Sequence, residues 1–231
     1  EYPTTCPAVE EWLSSMCYEI QSIRNGEHHI ENAQEQWEAI CEQDYRLWQN
    51  ERSVDQLIHT RWNQSYPYNR LCPTDPQGNG GHAVGGCVAI AMAQVMRYWT
   101  YPVQGTGSHS YNHTTYGTQS VNFGQTTYNW DNMPQICDNT NMDIPKLIYH
   151  CGVAVNMNYG PSESGGNYLV NDALTNFFGY GFYRQVFRNN YSHSYWVSLM
   201  KSELDLNRPI LYAGNEDNAT VGHAFVLDGY R

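Results

Sequence analysis

Gly80-Gly81-His82-Ala83-Val84-Gly85-Gly86-Cys87-Val88-Ala89-Ile90-Ala91-Met92-Ala93-Gln94-Val95-Met96-Arg97-Tyr98-Trp99 reads as a glycine-rich turn running into a helix. Val88, Met92, Val95, Met96 and Trp99 recur at helical spacing, with the strong helix formers Ala89, Ala91 and Ala93 between them. The glycines allow a sharp turn and leave room beside the residue at the helix head, which is Cys87. A helix start carries unpaired N–H groups and partial positive charge. Both favour a thiolate, the attacking form of a cysteine. The same N–H groups can hold the oxyanion that develops on an attacked carbonyl. The competing reading makes Cys87 a small buried apolar residue, and the local pattern leaves both open.

A thiolate nucleophile needs a base, and a second segment supplies a candidate: Gly222-His223-Ala224-Phe225-Val226-Leu227-Asp228-Gly229. Val221 to Tyr230 alternates as a strand, with His223, Phe225 and Leu227 on one face. Asp228-Gly229 is a tight-turn signal that predicts a following strand. A preceding strand is expected at Pro209–Tyr212, after a helix around Ser194–Leu206. An imidazole held on a rigid strand can take a thiol's proton and later protonate a leaving amine. Spacing alone does not bring His223 to Cys87, and a packed strand histidine is the alternative.

The run Gly86–Trp99, followed by Tyr101-Pro102, resembles the catalytic cysteine motif of the streptopain family of papain-like cysteine peptidases. Trp62-Asn63-Gln64 and Pro67–Pro73 resemble that family's mature N-terminal segment, and Gly152–Ser162 and Gly222–Gly229 follow in the family's order. The similarity covers roughly residues 53–231, and four motifs in order are more specific than any one. It implies an α+β papain-like fold, a helical half packed on an antiparallel sheet half. It implies a secreted bacterial endopeptidase acting on protein or peptide substrates without a cofactor, preferring a hydrophobic residue two positions before the cut. Cys87 aligns with the nucleophile and His223 with the general base; the Cys87 backbone and Gly222 align with oxyanion and substrate contacts. Ser162, Gly165 and Gly166 fall in a loop lining the pockets before the cut. Two departures stand out. The glutamine that some relatives carry six residues before the nucleophile is here Gly81, so either another group donates to the oxyanion or the Cys87 backbone N–H carries more of the load. The family's Asn-Trp-Gly-Trp segment, which by the resemblance orients and shields the imidazole, does not occur before Arg231, so the chain is expected to be incomplete there or one piece of a cut protein.

Composition bounds these readings. The chain has 231 residues, of which 41% are hydrophobic, enough for one sizeable core and a small accessory region. No apolar run approaches the ~20 residues of a membrane span. No export leader is visible, so an exported protein would have lost it. A net charge of −11 argues against nucleic acid as a partner. Seven cysteines, an odd number, are consistent with one free thiol beside possible disulfides, and Cys72, Cys137 and Cys151 lack zinc-site spacing. His28-His29 is read as a solvated pair rather than a metal site.

The charge is uneven. Residues 1–52 hold 11 acidic and 3 basic side chains, whereas residues 53–231 hold 12 and 9. A boundary is therefore expected near Arg52-Ser53. Val9, Trp12, Leu13, Met16, Ile20 and Ile23 define one face of a helix ended by Asn25-Gly26, and a second helix is expected over Ile30–Trp48. Such a hairpin is too small to bury its own apolar faces. By resemblance it is the end of an inhibitory propeptide, released by cleavage near Arg52 and Ser53; the alternative is a helical subdomain of the mature protein. Within 53–231, loops with short strands are expected over Gly105–Thr127 and a helix over Ile144–Cys151. An alternating strand is expected through Val153, Val155, Met157 and Tyr159, then a helix over Leu169–Phe177 stopped by Gly179. Two other functions fit weaker signals: a Cys–His acyltransferase, or a non-catalytic binding module using the 14% aromatic content.

Overall fold

The helix expected after Gly86 forms over Cys87–Trp99 (α1). In this computed structural model residues 53–166, 170–181, 185–215 and 222–231 are described, together with Gln21, Arg24 and Asn25. The chain divides into two units, Glu1–Arg52 and Ser53–Arg231. Most of the first unit, including both expected helices, lies outside the described residues; of it, Gln21 and Arg24 are helical and Asn25 is in a turn, its N–H on the Gln21 carbonyl at 2.9 Å.

In the second unit α1 is the spine. Its alanines and Ile90, Met92 and Met96 are buried, and the two methionines are fully so. Each such methionine stabilises the fold by about 1.5–3 kcal/mol. One side of α1 packs on the helix Asp143–Ala154 (α2). On α2, Ile144, Leu147, Ile148 and Cys151 repeat at helical spacing and none is exposed to solvent. The Asn141 side chain accepts from the Ile144 N–H (3.1 Å) and caps its first turn. A third helix, Val170–Phe178 (α3), packs on α2 and ends at Gly179, whose φ of +66° only glycine adopts easily. The antiparallel hairpin Ser108–His113 (β1) with Gly117–Asn122 (β2) also rests on α2. Phe123, beyond β2, stacks on Phe177 at 4.8 Å and meets Phe178 edge-on.

The other side of α1 packs on a second antiparallel pair, Ile210–Asn215 (β3) and Gly222–Leu227 (β4). Its register sets Gly214 opposite His223 and Tyr212 opposite Phe225. The helix His193–Asp205 (α4), capped by the Ser192 hydroxyl on the Tyr195 N–H, covers β3. The result is the expected α+β papain-like arrangement, a helical half and a sheet half meeting at α1.

Two local expectations differ from the structure. The alternation from Val153 to Tyr159 does not make a strand. α2 continues to Ala154, and only Asn158 pairs, with Gly165. Val153 belongs to the last turn of α2, and although buried Val155, Met157 and Tyr159 alternate with half-buried Asn156 and exposed Asn158, that stretch finds a single bridge partner among the described residues rather than a ladder. Asp228-Gly229 does not turn back into another hairpin among the described residues. It runs on beside the start of the unit: Val54 and Tyr230 exchange both backbone bonds, and the Leu57 N–H meets the Asp228 carbonyl at 2.9 Å. The glycine is needed for that close approach, because a Cβ at 229 would lie 2.6 Å from the Val54 carbonyl oxygen.

Candidate active site

Cys87 heads α1 because Gly86 permits it. Gly86 has φ +87° and ψ 134°, and a Cβ there would sit 2.6 Å from the Met157 sulfur. The turn is pinned on two sides. The Gly85 N–H donates to the Gln64 carbonyl (2.8 Å), and the Val84 N–H to the Gly160 carbonyl (3.0 Å). The buried Ser164 hydroxyl donates to the Val84 carbonyl at 2.7 Å and accepts from the Gly160 N–H. The thiol position is thus set by segments more than twenty residues away on both sides, as preorganised chemistry requires.

Cys87 and His223 line one cleft of about 570 Å3. Its floor is one face of α1, with Cys87, Ile90, Ala91 and Gln94 at i, i+3, i+4 and i+7. One wall is β4 from His223 to Val226, and the other is the segment from Gln56 to Ser65. The walls are tied across by Asp228, whose carboxylate accepts from the Ile58 N–H at 3.1 Å. Cys87 is half-buried and His223 exposed, so sulfur and imidazole face a solvent-open groove. Among the described residues no hydrogen bond reaches the His223 ring; its ring contact is with Phe225, centroids 6.5 Å apart and planes 22° off parallel.

The remaining described thiols are poor nucleophiles. All four described cysteines are free: Cys72, Cys87, Cys137 and Cys151. Burial pushes the Cys72 thiol up to about 12 and raises Cys137 and Cys151. Cys72, Cys137 and Cys151 are buried in the core.

The other site residues expected from sequence fall in different places. Gly222 is exposed at the start of β4, opposite Asn215 and next to His223. Ser162 is exposed, and Gly165 pairs with Asn158; neither lines the cavity that Cys87 shares with His223. Gly166 does not line that cavity either and packs against Val88, the residue after Cys87, where a Cβ would come 3.0 Å from the Val88 Cβ. Gly81 is away from the cleft, its carbonyl held by the Asp75 N–H, with open space where a side chain would be. Gln64 is the cleft residue that counting back from Cys87 missed. It lines the cleft beside Cys87 and is joined to the turn before it through Gly85. Its signal was present in Trp62-Asn63-Gln64, where Gln64 lies 23 residues upstream of Cys87 rather than six. Among the described residues no group of three or more His, Cys, Asp or Glu is arranged to hold a metal, and no helix is long and apolar enough to cross a membrane.

Comparison with known proteins places this geometry. The model of the peptidase C10 family matches residues 62–231. Streptopain of Streptococcus pyogenes is 35% identical over 191 residues, covering 73% of this chain and 47% of its own length. The thiol protease/hemagglutinin PrtT of Porphyromonas gingivalis is 35% identical over 179 residues, 73% of this chain and 20% of its own length. The chain therefore spans about half or less of the curated relatives it matches. Among solved structures, active interpain A cysteine protease of Prevotella intermedia superposes with a TM-score of 0.70 at 36% identity, covering 77% of each chain. A prointerpain A fragment from the same organism gives 0.69 at 36% identity, over 77% of this chain and 58% of its own. A cysteine at a helix head, a histidine strand lining the same cleft and a family model matching residues 62–231 make this chain a member of the peptidase C10 family.

Proposed function

We propose that the chain is the proform of a secreted bacterial cysteine endopeptidase, with Cys87 as nucleophile and His223 as general base. The observation that carries the reading is the shared cleft: a half-buried thiol at a helix head and an imidazole on β4 open onto the same groove. The imidazole takes the thiol proton, and the thiolate attacks the peptide carbonyl carbon. The developing oxyanion is held by the Cys87 N–H at the head of α1 and by the side-chain amide of Gln64, the role that Gly81 leaves open. The carbon–nitrogen bond breaks as the imidazolium protonates the leaving amine, leaving a thioester on Cys87. His223 then deprotonates a water that attacks the thioester, the acid departs and the thiolate is restored.

An extended substrate would cross between the two walls of the cleft. The apolar pocket for the residue two positions before the cut is assigned to the loop of Ser162, Gly165 and Gly166, with open space where a side chain at Gly165 would be and with Gly222 offering backbone beside His223. Residues 1–52 are read as the inhibitory end of a propeptide, supported by the charge step at Arg52-Ser53 and the unit boundary at the same place. The Cys87→Ala variant tests the mechanism: peptide hydrolysis and thiol labelling at this position should both vanish. Hydrolysis that survives in this variant refutes the assignment. N-terminal sequencing of an activated sample should read a start close to Ser53.

A further inference from the structure

We propose that Ser164 is the positioning residue that locks the turn before Cys87 to the substrate loop, so that the substrate residue two positions before the cut and the thiol are held in one frame. The inference rests on the reading of Cys87 as nucleophile and of Ser162, Gly165 and Gly166 as pocket-lining residues. Three hydrogen bonds close a ring. The Val84 N–H donates to the Gly160 carbonyl at 3.0 Å, the Gly160 N–H to the Ser164 hydroxyl oxygen at 3.0 Å, and the Ser164 hydroxyl to the Val84 carbonyl at 2.7 Å. Each of the three residues gives one hydrogen and accepts one. Val84 and Ser164 are buried, so water competes little for these groups and each bond polarises the next. Removing the hydroxyl breaks two of the three bonds and takes the Ser164 donor away from the Val84 carbonyl.

The loop is built to pass that constraint on. Asn158 and Gly165 exchange both backbone bonds, at 2.8 and 3.1 Å, which closes its mouth. Gly160 turns it back so tightly that a Cβ there would lie 2.5 Å from the Glu163 carbonyl oxygen. Its tip, Ser162 and Glu163, is exposed, whereas Ser164 is 7% exposed and does not line the cleft. Both ends of the loop also meet Gly86, the residue before Cys87: a Cβ there would come 2.6 Å from the Met157 sulfur and 3.3 Å from the Ser164 carbonyl oxygen. Ser164 is thus bonded to the loop and to the turn while buried away from substrate, and it acts on the reaction only through its neighbours. A side chain that fills the pocket bears on the support of the thiol itself. Binding energy won there is then used to orient the scissile carbonyl and appears in kcat rather than in KM alone.

The test uses the full chain, activated, carrying Ser164→Ala, Ser164→Thr or Ser164→Cys. Two readouts are taken. One is kcat and KM on two peptides that differ only in having isoleucine or glycine two positions before the cut. The other is the pH profile of Cys87 alkylation by iodoacetamide, resolved by peptide mass mapping. Wild type should turn over the isoleucine peptide with the higher kcat. Ser164→Ala should lower kcat on the isoleucine peptide about tenfold, keep kcat on the glycine peptide within about twofold, and displace the alkylation profile. Ser164→Thr, which keeps the hydroxyl, should recover most of the loss. If Ser164→Ala does not fold by circular dichroism, Ser164→Cys fills the same space with a weak hydrogen-bonding group and should give the same pattern. Unchanged kcat on the isoleucine peptide overturns the inference. So does an equal fall on both peptides with a wild-type alkylation profile, which is what a merely structural serine gives. The larger reading fails separately. Hydrolysis that survives Cys87→Ala removes the nucleophile assignment. Equal cleavage of both peptides by wild type removes the pocket assignment, and the alkylation profile of Ser164→Ala then decides the inference alone.

Discussion

Replacing Gly86 by alanine should damage both the stability and the chemistry of this unit, by an amount the structure allows to be worked out. Gly86 sits at φ +87° and ψ 134°, a conformation essentially confined to glycine. Holding an alanine there costs of order 1–3 kcal/mol. The added methyl would also fall 2.6 Å from both Cε and the sulfur of Met157 and 3.3 Å from the Ser164 carbonyl oxygen. Met157 is fully buried and its carbonyl accepts from the Tyr111 hydroxyl at 2.6 Å, so it has little room to move aside. Overpacking of this kind costs roughly 1–3 kcal/mol. Taking the two together as about 3 kcal/mol, and about 2–4 °C per kcal/mol for a domain of this size, the Tm should fall by roughly 6–12 °C. Activity should fall further than the loss of folded protein accounts for, because the strain is released at the residue carrying the thiol. Scanning calorimetry and peptide hydrolysis at a temperature where the variant is fully folded measure the two effects. A double-mutant cycle with Met157→Ala separates them: overlap is relieved in the double mutant and backbone strain is not. A Tm within about 2 °C of the parent, with unchanged hydrolysis, would refute the argument that Gly86 is there for its backbone and its missing side chain.

Gln64→Ala should lower kcat by about 10²–10³ with little change in KM, as expected for loss of one oxyanion donor; steady-state kinetics checks this, and a change confined to KM counts against it. Among the described cysteines, brief iodoacetamide treatment of the folded protein near neutral pH should modify Cys87 and spare Cys72, whose burial holds it at about 12; peptide mass mapping reads the result, and early labelling of Cys72 refutes it. His150 is half-buried against Phe123 and shares a hydrogen bond with the Tyr128 hydroxyl at 3.0 Å, and desolvation, with Lys146 adding to it, pushes its pKa down from 6.5 to about 4. The unfolded chain therefore takes up the proton first as pH falls. This group's stabilisation is complete above about pH 6.5 and is lost between there and about pH 4, by of order 2–3 kcal/mol. A His150→Asn variant, which keeps a hydrogen-bonding group beside Tyr128, should show a flatter dependence of Tm on pH over that window, and an unchanged slope contradicts the assignment.

How far the sequence could be read depended on whether a residue's reason for being there was local. Gly86 and α1 were legible because a helix head, its apolar spacing and the turn before it are short-range properties, and the same holds for the strand carrying His223. Gln64 was not, because its place in the cleft depends on a contact with Gly85 that no spacing rule encodes. The error at Val153–Tyr159 has a related cause. Periodicity reports a boundary between a wet face and a dry one, and Val155, Met157 and Tyr159 do alternate with half-buried Asn156 and exposed Asn158, but it does not report whether a partner strand lies alongside, and here, among the described residues, one bridge to Gly165 is all there is. Asp228-Gly229 shows the same limit from the other side. Asp-Gly favours a hairpin in isolation, but here the aspartate binds the Ile58 N–H and the glycine admits the Val54 carbonyl, so two long-range contacts take the place of a turn. Those contacts also close the cleft wall opposite His223. Features that the sequence pattern misread are thus the ones that join distant segments, and joining distant segments is what brings a thiol and an imidazole 136 residues apart in the chain onto one groove.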